Sequence, residues 1–130
     1  MNIPAGFKFA ATDEWVRVEG TIATIGISDF AQDQLSDVVF VEIAVSVGDS
    51  VTKGGLLGTV ESVKAASDIN LPVSGKVVET NESLSDTPEL VNSDPYGKAW
   101  MVKIELSNPA EVNDLMDDKA YGVNCAGREH

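Results

Sequence analysis

The sequence predicts a mainly β protein, two similar antiparallel halves folded face to face with short helices at the periphery. Three observations predict it. Val, Ile and Thr gather in short segments closed by turn residues between positions 15 and 106. Helical spacing is confined to two brief stretches. The segment "VSVGDSV" at 45–51 is echoed by "VETNESL" at 78–84, with Gly48 matched by Asn81. Gly and Asn are the residue types that most readily take left-handed backbone geometry, so the same bend is expected twice.

"WVRVEGTIATIGIS" reads as two strands with a turn, broken by Gly20 and Gly26. Ser28 then offers an N-cap ahead of Phe30, Ala31 and Leu35, which predicts a short helix. "DVVFVEIAVSV" carries the strongest strand signal in the chain, closed by Gly48-Asp49. "LLGTVES" and "ASDINL" are shorter strands on either side of Lys64, and "GKVVET" is another. The polar stretch "NESLSDTPELVNSDPYGK" reads as a loop with one helical turn. "AWMVKIEL" is the last strand, alternating Trp100, Val102, Ile104 and Leu106 against Met101, Lys103 and Glu105. Beyond it, Asn108 as N-cap, Pro109 at the first helical position and Glu111 make a capping-box-like start. Val112, Leu115, Met116 and Lys119 continue at helical spacing, with a break near Asp117 and Gly122 as terminator.

A chain of 130 residues is the size of one domain, here 1–130 with a hairpin core at about 38–82. Its apolar fraction of 43% is that of a globular protein, and no apolar run approaches the roughly 20 residues that cross a bilayer, so no membrane is expected. The N-terminal "MNIPAGFKFA" lacks the layout of a secretory or organellar leader, which points to the cytoplasm or, for a processed form, the mitochondrial matrix. The net charge of −12 repels polyanions and argues against nucleic acid. With one cysteine, Cys125, and one histidine, His130, the chain has no internal disulfide, no Cys/His zinc site and no Cys–His dyad. That inventory argues against a self-contained enzyme; a monomer is expected.

Lys64 in "GTVESVKAASDIN" sits where a hairpin must turn. Most lysines are simply solvated. Here Val63 and Ala65-Ala66 leave the amine without bulky neighbours, Glu61 stands three residues before it, and flanking strands fix the tip. A lysine amine in water is mostly protonated and a poor nucleophile, and nothing local activates it. Acylation by an outside enzyme turns the ammonium into a neutral amide and the stem into an anchor for a long cofactor.

The stretch "VESVKAASDINLPVSGKVVETNESLSDTPELVNSDPYGKAW" resembles the lipoyl-attachment region of glycine cleavage system H proteins, and the likeness extends through "DEWVRVEG", "TIGISDFAQDQLSDVVFVEI", "VGDSVTKG" and "NPAEVNDLM". The chain departs from that family's usual His at Asp13, Gly at Ser36 and Pro at Ala44. The resemblance implies the barrel-sandwich fold of lipoyl and biotinyl domains. It also implies a carrier whose Lys64 bears lipoic acid in amide linkage, with Glu61, Ser62, Val63 and Ala65 read by the lipoate-attaching enzyme. The implied partners are a pyridoxal-phosphate glycine decarboxylase, which loads an aminomethyl group, a tetrahydrofolate-dependent aminomethyltransferase, which takes it, and dihydrolipoamide dehydrogenase, which restores the disulfide. Between partners the loaded arm is expected to shelter in a cleft beside Glu14, Asp68 and Ile27. The family's alternatives are an H-like protein that passes lipoate to other enzymes or carries sulfur intermediates, and a biotin carrier, which typically has Met on both sides of the lysine where this chain has Val63 and Ala65. A β-sandwich interaction module with an unmodified lysine is a third. Cys125 is expected as a free thiol, Trp15 and Trp100 as core residues, and Lys53 and Lys76 as unmodified controls.

Overall fold

A computed structural model describes residues 2–128, so His130 lies outside the described residues. Among the described residues nine strands form two antiparallel sheets, joined by short helices. The larger sheet contains β1 (Lys8–Phe9), β2 (Glu14–Glu19), β3 (Ile22–Ile27), β9 (Val102–Leu106), β8 (Gly75–Thr80) and β5 (Ser50–Val51), in that spatial order. The smaller contains β4 (Val38–Ile43), β6 (Leu56–Ser62) and β7 (Ala66–Asn70). Val16, Ile25, Val77 and Ile104 of the first sheet and Val41, Leu57, Val60 and Ile69 of the second belong to one apolar cluster. Fully burying an aliphatic side chain of this size contributes about 1.5–3 kcal/mol, so this cluster is the main force holding the sheets together.

A second cluster joins Phe9, Trp15, Phe30, Tyr121 and Cys125. Trp15 is fully buried and its indole N–H donates to the Pro95 carbonyl at 2.9 Å. Cys125 is a buried free thiol on α4 (Asp118–Arg128), and Trp100 is only partly buried, with the Lys103 ammonium 5.0 Å from its ring. Gly26 lies inside β3 rather than breaking it. It faces Trp15 in register, and a Cβ there would stand 2.7 Å from the indole nitrogen. Gly20, at φ +64°, supplies the turn between β2 and β3.

Several elements differ from the sequence-based expectation. The bend at Gly48, φ +97°, is not repeated: Asn81 keeps a negative φ and donates its side-chain amide to the carbonyls of Lys98 and Trp100. The echo therefore reflects two different uses of similar residues. β4 stops at Ile43, where Ala44 donates its N–H to Leu57, a bond the family's usual proline would lack. The polar stretch after β8 holds two one-turn helices, α2 (Ser83–Asp86) and α3 (Leu90–Ser93). The last strand begins at Val102, not Ala99, because Met101 is fully buried and interrupts the alternation. Pro109–Asp114 is a 3-10 helix that Asn108 does not cap, and Glu111 reaches instead to the N–H and hydroxyl of Ser74. The break near Asp117 is present: its carboxylate accepts the Ala120 N–H at the start of α4, which then runs through Gly122.

Candidate functional site

β6 and β7 pair from Leu56↔Asn70 to Glu61↔Ala66, which leaves residues 63–65 to turn the chain and Lys64 exposed at the tip. The turn is locked by Ser62. Its N–H donates to the Ala65 carbonyl at 2.7 Å, and its hydroxyl oxygen accepts the Lys64 and Ala65 N–H groups at 3.2 and 3.0 Å. Such local side-chain bonds give the backbone a defined turn without glycine. Ser62 is therefore built into the turn itself. Glu61, Val63 and Ala65 are exposed around it.

The tip is not free-standing. Val63 donates its N–H to the Asp37 carbonyl at 3.0 Å, and the Lys64 ammonium lies 3.3 Å from the Gln34 carbonyl. Gln34 is in the last turn of α1 (Asp29–Leu35), where unpaired carbonyls favour a cation. Ser28 caps the other end of α1, its hydroxyl accepting the Ala31 N–H, as the sequence predicts. Sequence reasoning missed Gln34 and Asp37, because a contact across about thirty positions leaves no local pattern.

The acids expected around a loaded arm lie on different sheets, Asp68 on β7 of the smaller and Glu14 on β2 of the larger. Asp68 is exposed on β7 and accepts a long bond from Thr59 at 3.4 Å. Glu14, at the start of β2, is only 1% exposed. Its carboxyl accepts from the Thr12 hydroxyl and from the Asn70 N–H, the latter at 3.3 Å. Asn70 is two residues beyond Asp68 on β7, so Glu14 meets the strand that starts at the lysine. Burial pushes the Glu14 carboxyl up to about 7, despite the Thr12 and Asn70 bonds and with a smaller push from the nearby Asp13 charge. A carboxyl poised there takes up or releases a proton near neutral pH. Ile27, opposite Glu14 in the β2–β3 register, is 2% exposed and belongs to the main core cluster.

Asp13 itself points elsewhere. Its carboxylate is held by the Arg128 guanidinium at 2.6 Å and by the Tyr121 hydroxyl at 2.8 Å, and Tyr121 also bonds the buried Ser28 hydroxyl at 2.6 Å. The charge that replaces the family's histidine is thus paired with α4. A largely apolar cavity of about 490 Å³ is lined by Thr12 and Asn70, the two partners of Glu14, together with Phe9, Leu71, Leu115 and Met116. Among the described residues no cluster of His, Cys, Asp and Glu is arranged to hold a metal, and no helix is long and apolar enough to cross a membrane.

Comparison with known proteins adds independent findings. The model of the family described as "Glycine cleavage H-protein" matches residues 7–126. A glycine cleavage system H protein of Symbiobacterium thermophilum is 54% identical over 120 residues, 92% of this chain and 93% of that one. The one of Carboxydothermus hydrogenoformans is 52% identical over 119 residues, 92% and 91%. A mitochondrial one of Flaveria pringlei is 53% identical over 120 residues, covering 92% of this chain and 74% of the relative. The crystal structure of a glycine cleavage system H protein from Mycobacterium marinum superposes with a TM-score of 0.87 at 32% identity, covering 95% of this chain and 99% of that one.

Proposed function

The chain belongs to the glycine cleavage H-protein family, and from that premise we propose that Lys64 is the residue on which it carries lipoic acid. The family is a lipoyl carrier of the glycine cleavage system with covalently attached lipoate. One observation carries the assignment to Lys64: its amine is exposed at a hairpin tip whose backbone is pinned on both sides, by Ser62 within the turn and by Asp37 outside it. A rigid, accessible amine is what an attaching enzyme needs, and Glu61, Val63 and Ala65 form the surface it reads, with Ser62 fixing their arrangement.

The bound lipoyl group supplies thiol–disulfide exchange and uptake of the aminomethyl group. The chain supplies the rest. Acylation removes the lysine charge, leaving only a neutral amide N–H to face the Gln34 carbonyl, which loosens the arm from α1. Asp68 on β7, and Glu14 of β2 where it accepts the Asn70 N–H of that strand, offer carboxylates to an ammonium at the end of the arm. Glu14 ionises as that cation approaches, because an opposite charge lowers a carboxyl that burial had raised. Ile27 backs Glu14 from the core and keeps water from that side. The whole chain acts as one lipoyl-carrier unit, a non-catalytic monomer serving glycine decarboxylase, the aminomethyltransferase, dihydrolipoamide dehydrogenase and the lipoate-attaching enzyme. The bacterial and mitochondrial relatives support a cytoplasmic or matrix location.

The test is intact mass and peptide mapping from a lipoate-sufficient host, followed by glycine cleavage in a reconstituted system. A lipoyl-sized increment on the Lys64 peptide, absent from those of Lys53 and Lys76, is expected. Lys64→Arg is expected to fold normally and support no cleavage, since arginine keeps the charge but lacks the primary amine. Wild-type turnover by Lys64→Arg would overturn the assignment.

A further inference from the structure

The hairpin tip rests on residues 34–37, and what holds those residues is not the hairpin. Asn92, on the one-turn helix α3, makes three hydrogen bonds across 54 to 60 positions of sequence, one to Ser36 within that segment and two to Gln32 and Val38 that flank it. Its carbonyl oxygen accepts the Val38 N–H at 2.8 Å, and its amide group donates to the Ser36 carbonyl at 2.8 Å and the Gln32 side-chain oxygen at 2.9 Å. The segment needs such support. Ser36 stands at φ 64°, ψ −149°, backbone geometry that is essentially reserved for glycine and stores strain that only surrounding contacts can hold. Strain of this kind gathers where geometry serves function, and here the next residue, Asp37, takes the Val63 N–H of the tip.

We propose that Asn92 is a positioning residue for Lys64, fixing the strained α1–β4 turn as the seat that sets where the hairpin tip presents its lysine. The proposal rests on the reading of Lys64 as the attachment site. It reaches further by assigning the placement of the tip to a residue 28 positions away whose side-chain hydrogen bonds go to Gln32, Ser36 and Val38 rather than to the lysine. Two bonds lie between them: Asn92 holds Ser36 and Val38, and Asp37 between these holds Val63.

The test is Asn92→Ala in the full chain, with two readouts. Hydrogen exchange at the Val63 amide is expected to quicken at least tenfold while amides of β3 and β9, in the other sheet, stay within twofold of wild type. Lipoylation by a lipoate-attaching enzyme is expected to lose at least fivefold in kcat/KM through a raised KM for the carrier, with kcat little changed. Adding Ser36→Gly removes the strain the asparagine restrains and is expected to restore part of the Val63 protection. The double variant carries the same measurements should Asn92→Ala alone not accumulate folded. Unchanged Val63 exchange and KM, or equal acceleration in both sheets, would overturn the positioning role. If the wild type proves not to be lipoylated on Lys64, the attachment reading falls, whereas the Val63 exchange still decides whether Asn92 holds the turn.

Discussion

Glu14 shows how one side chain combines burial with a titration useful at neutral pH. Its folded carboxyl, at about 7, lies above the ordinary value of 4.5, so between those two pH values the folded state binds more protons than the unfolded chain. Stability from this group is therefore fully present below about pH 4.5 and is lost as pH rises toward 7, the reverse of a salt-bridged acid, by an amount on the order of 3 kcal/mol. Urea unfolding of wild type and Glu14→Gln across that window checks it: the variant should lack this downward component, and parallel curves would refute it. Ser36 is the second residue whose cost is visible. At φ 64° the family's usual glycine is strain-free, so Ser36→Gly is expected to raise stability by about 1 kcal/mol or slightly more, read as an increased urea midpoint at constant slope. A lowered midpoint would show that the serine makes compensating contacts.

Among the elements, the β6–β7 hairpin and α4 illustrate two kinds of end. The hairpin is legible in sequence because two β-rich runs flank three residues that must turn, but its closure by Ser62 is not, since the same serine could equally have been a recognition side chain. The sequence predicts a stop at Gly122, whereas α4 runs on to Arg128, whose guanidinium gains its partner on Asp13 at 2.6 Å by that continuation. Gly122 is thus an interior helical glycine whose added Cβ would meet only Ile3, at an ordinary contact distance of 3.7 Å. Gly122→Ala is expected to stabilise the protein by about 0.5–1 kcal/mol through helix propensity, and thermal unfolding measures it. The Arg128–Phe30 contact, 4.4 Å from cation to ring centre, should survive that change.

For the molecule as a whole, two unequal sheets enclose one core, and a second, aromatic cluster fastens α4 beneath β1 and β2. Phe9 and Tyr121 stack at 4.4 Å with nearly parallel rings, which joins the two ends of the chain. The arrangement leaves the Lys64 hairpin on the three-stranded sheet, whereas that clasp holds to the six-stranded one. Surrounding both is a net charge of −12. A field of that size speeds encounter with basic surfaces and is screened by salt, so the KM of a partner enzyme for this carrier is expected to rise several-fold between about 0.01 and 0.15 M ionic strength. Measurement with the lipoylated carrier and with free lipoamide separates the effects: only the carrier should respond, and an equal response from both would remove the electrostatic contribution.

The sequence by itself determined the seven longer strands, though not the two-residue β1 and β5, and with them the helix behind Ser28, the hairpin tip at Lys64 and the family, because strand signals, caps and turns act over a few residues and the motif around the lysine is contiguous. It did not determine that Thr12 and the Asn70 backbone hold Glu14, that Asp13 pairs with Arg128, or that Asn92 supports the turn under the lysine. Nor could it tell that Asn81 spends its side chain on Lys98 and Trp100 rather than repeating the bend of Gly48. Each of these depends on polar groups that meet only once the tertiary fold brings separated segments together. The need to satisfy buried donors and acceptors then selects partners that are distant in sequence, and that selection belongs to the tertiary structure.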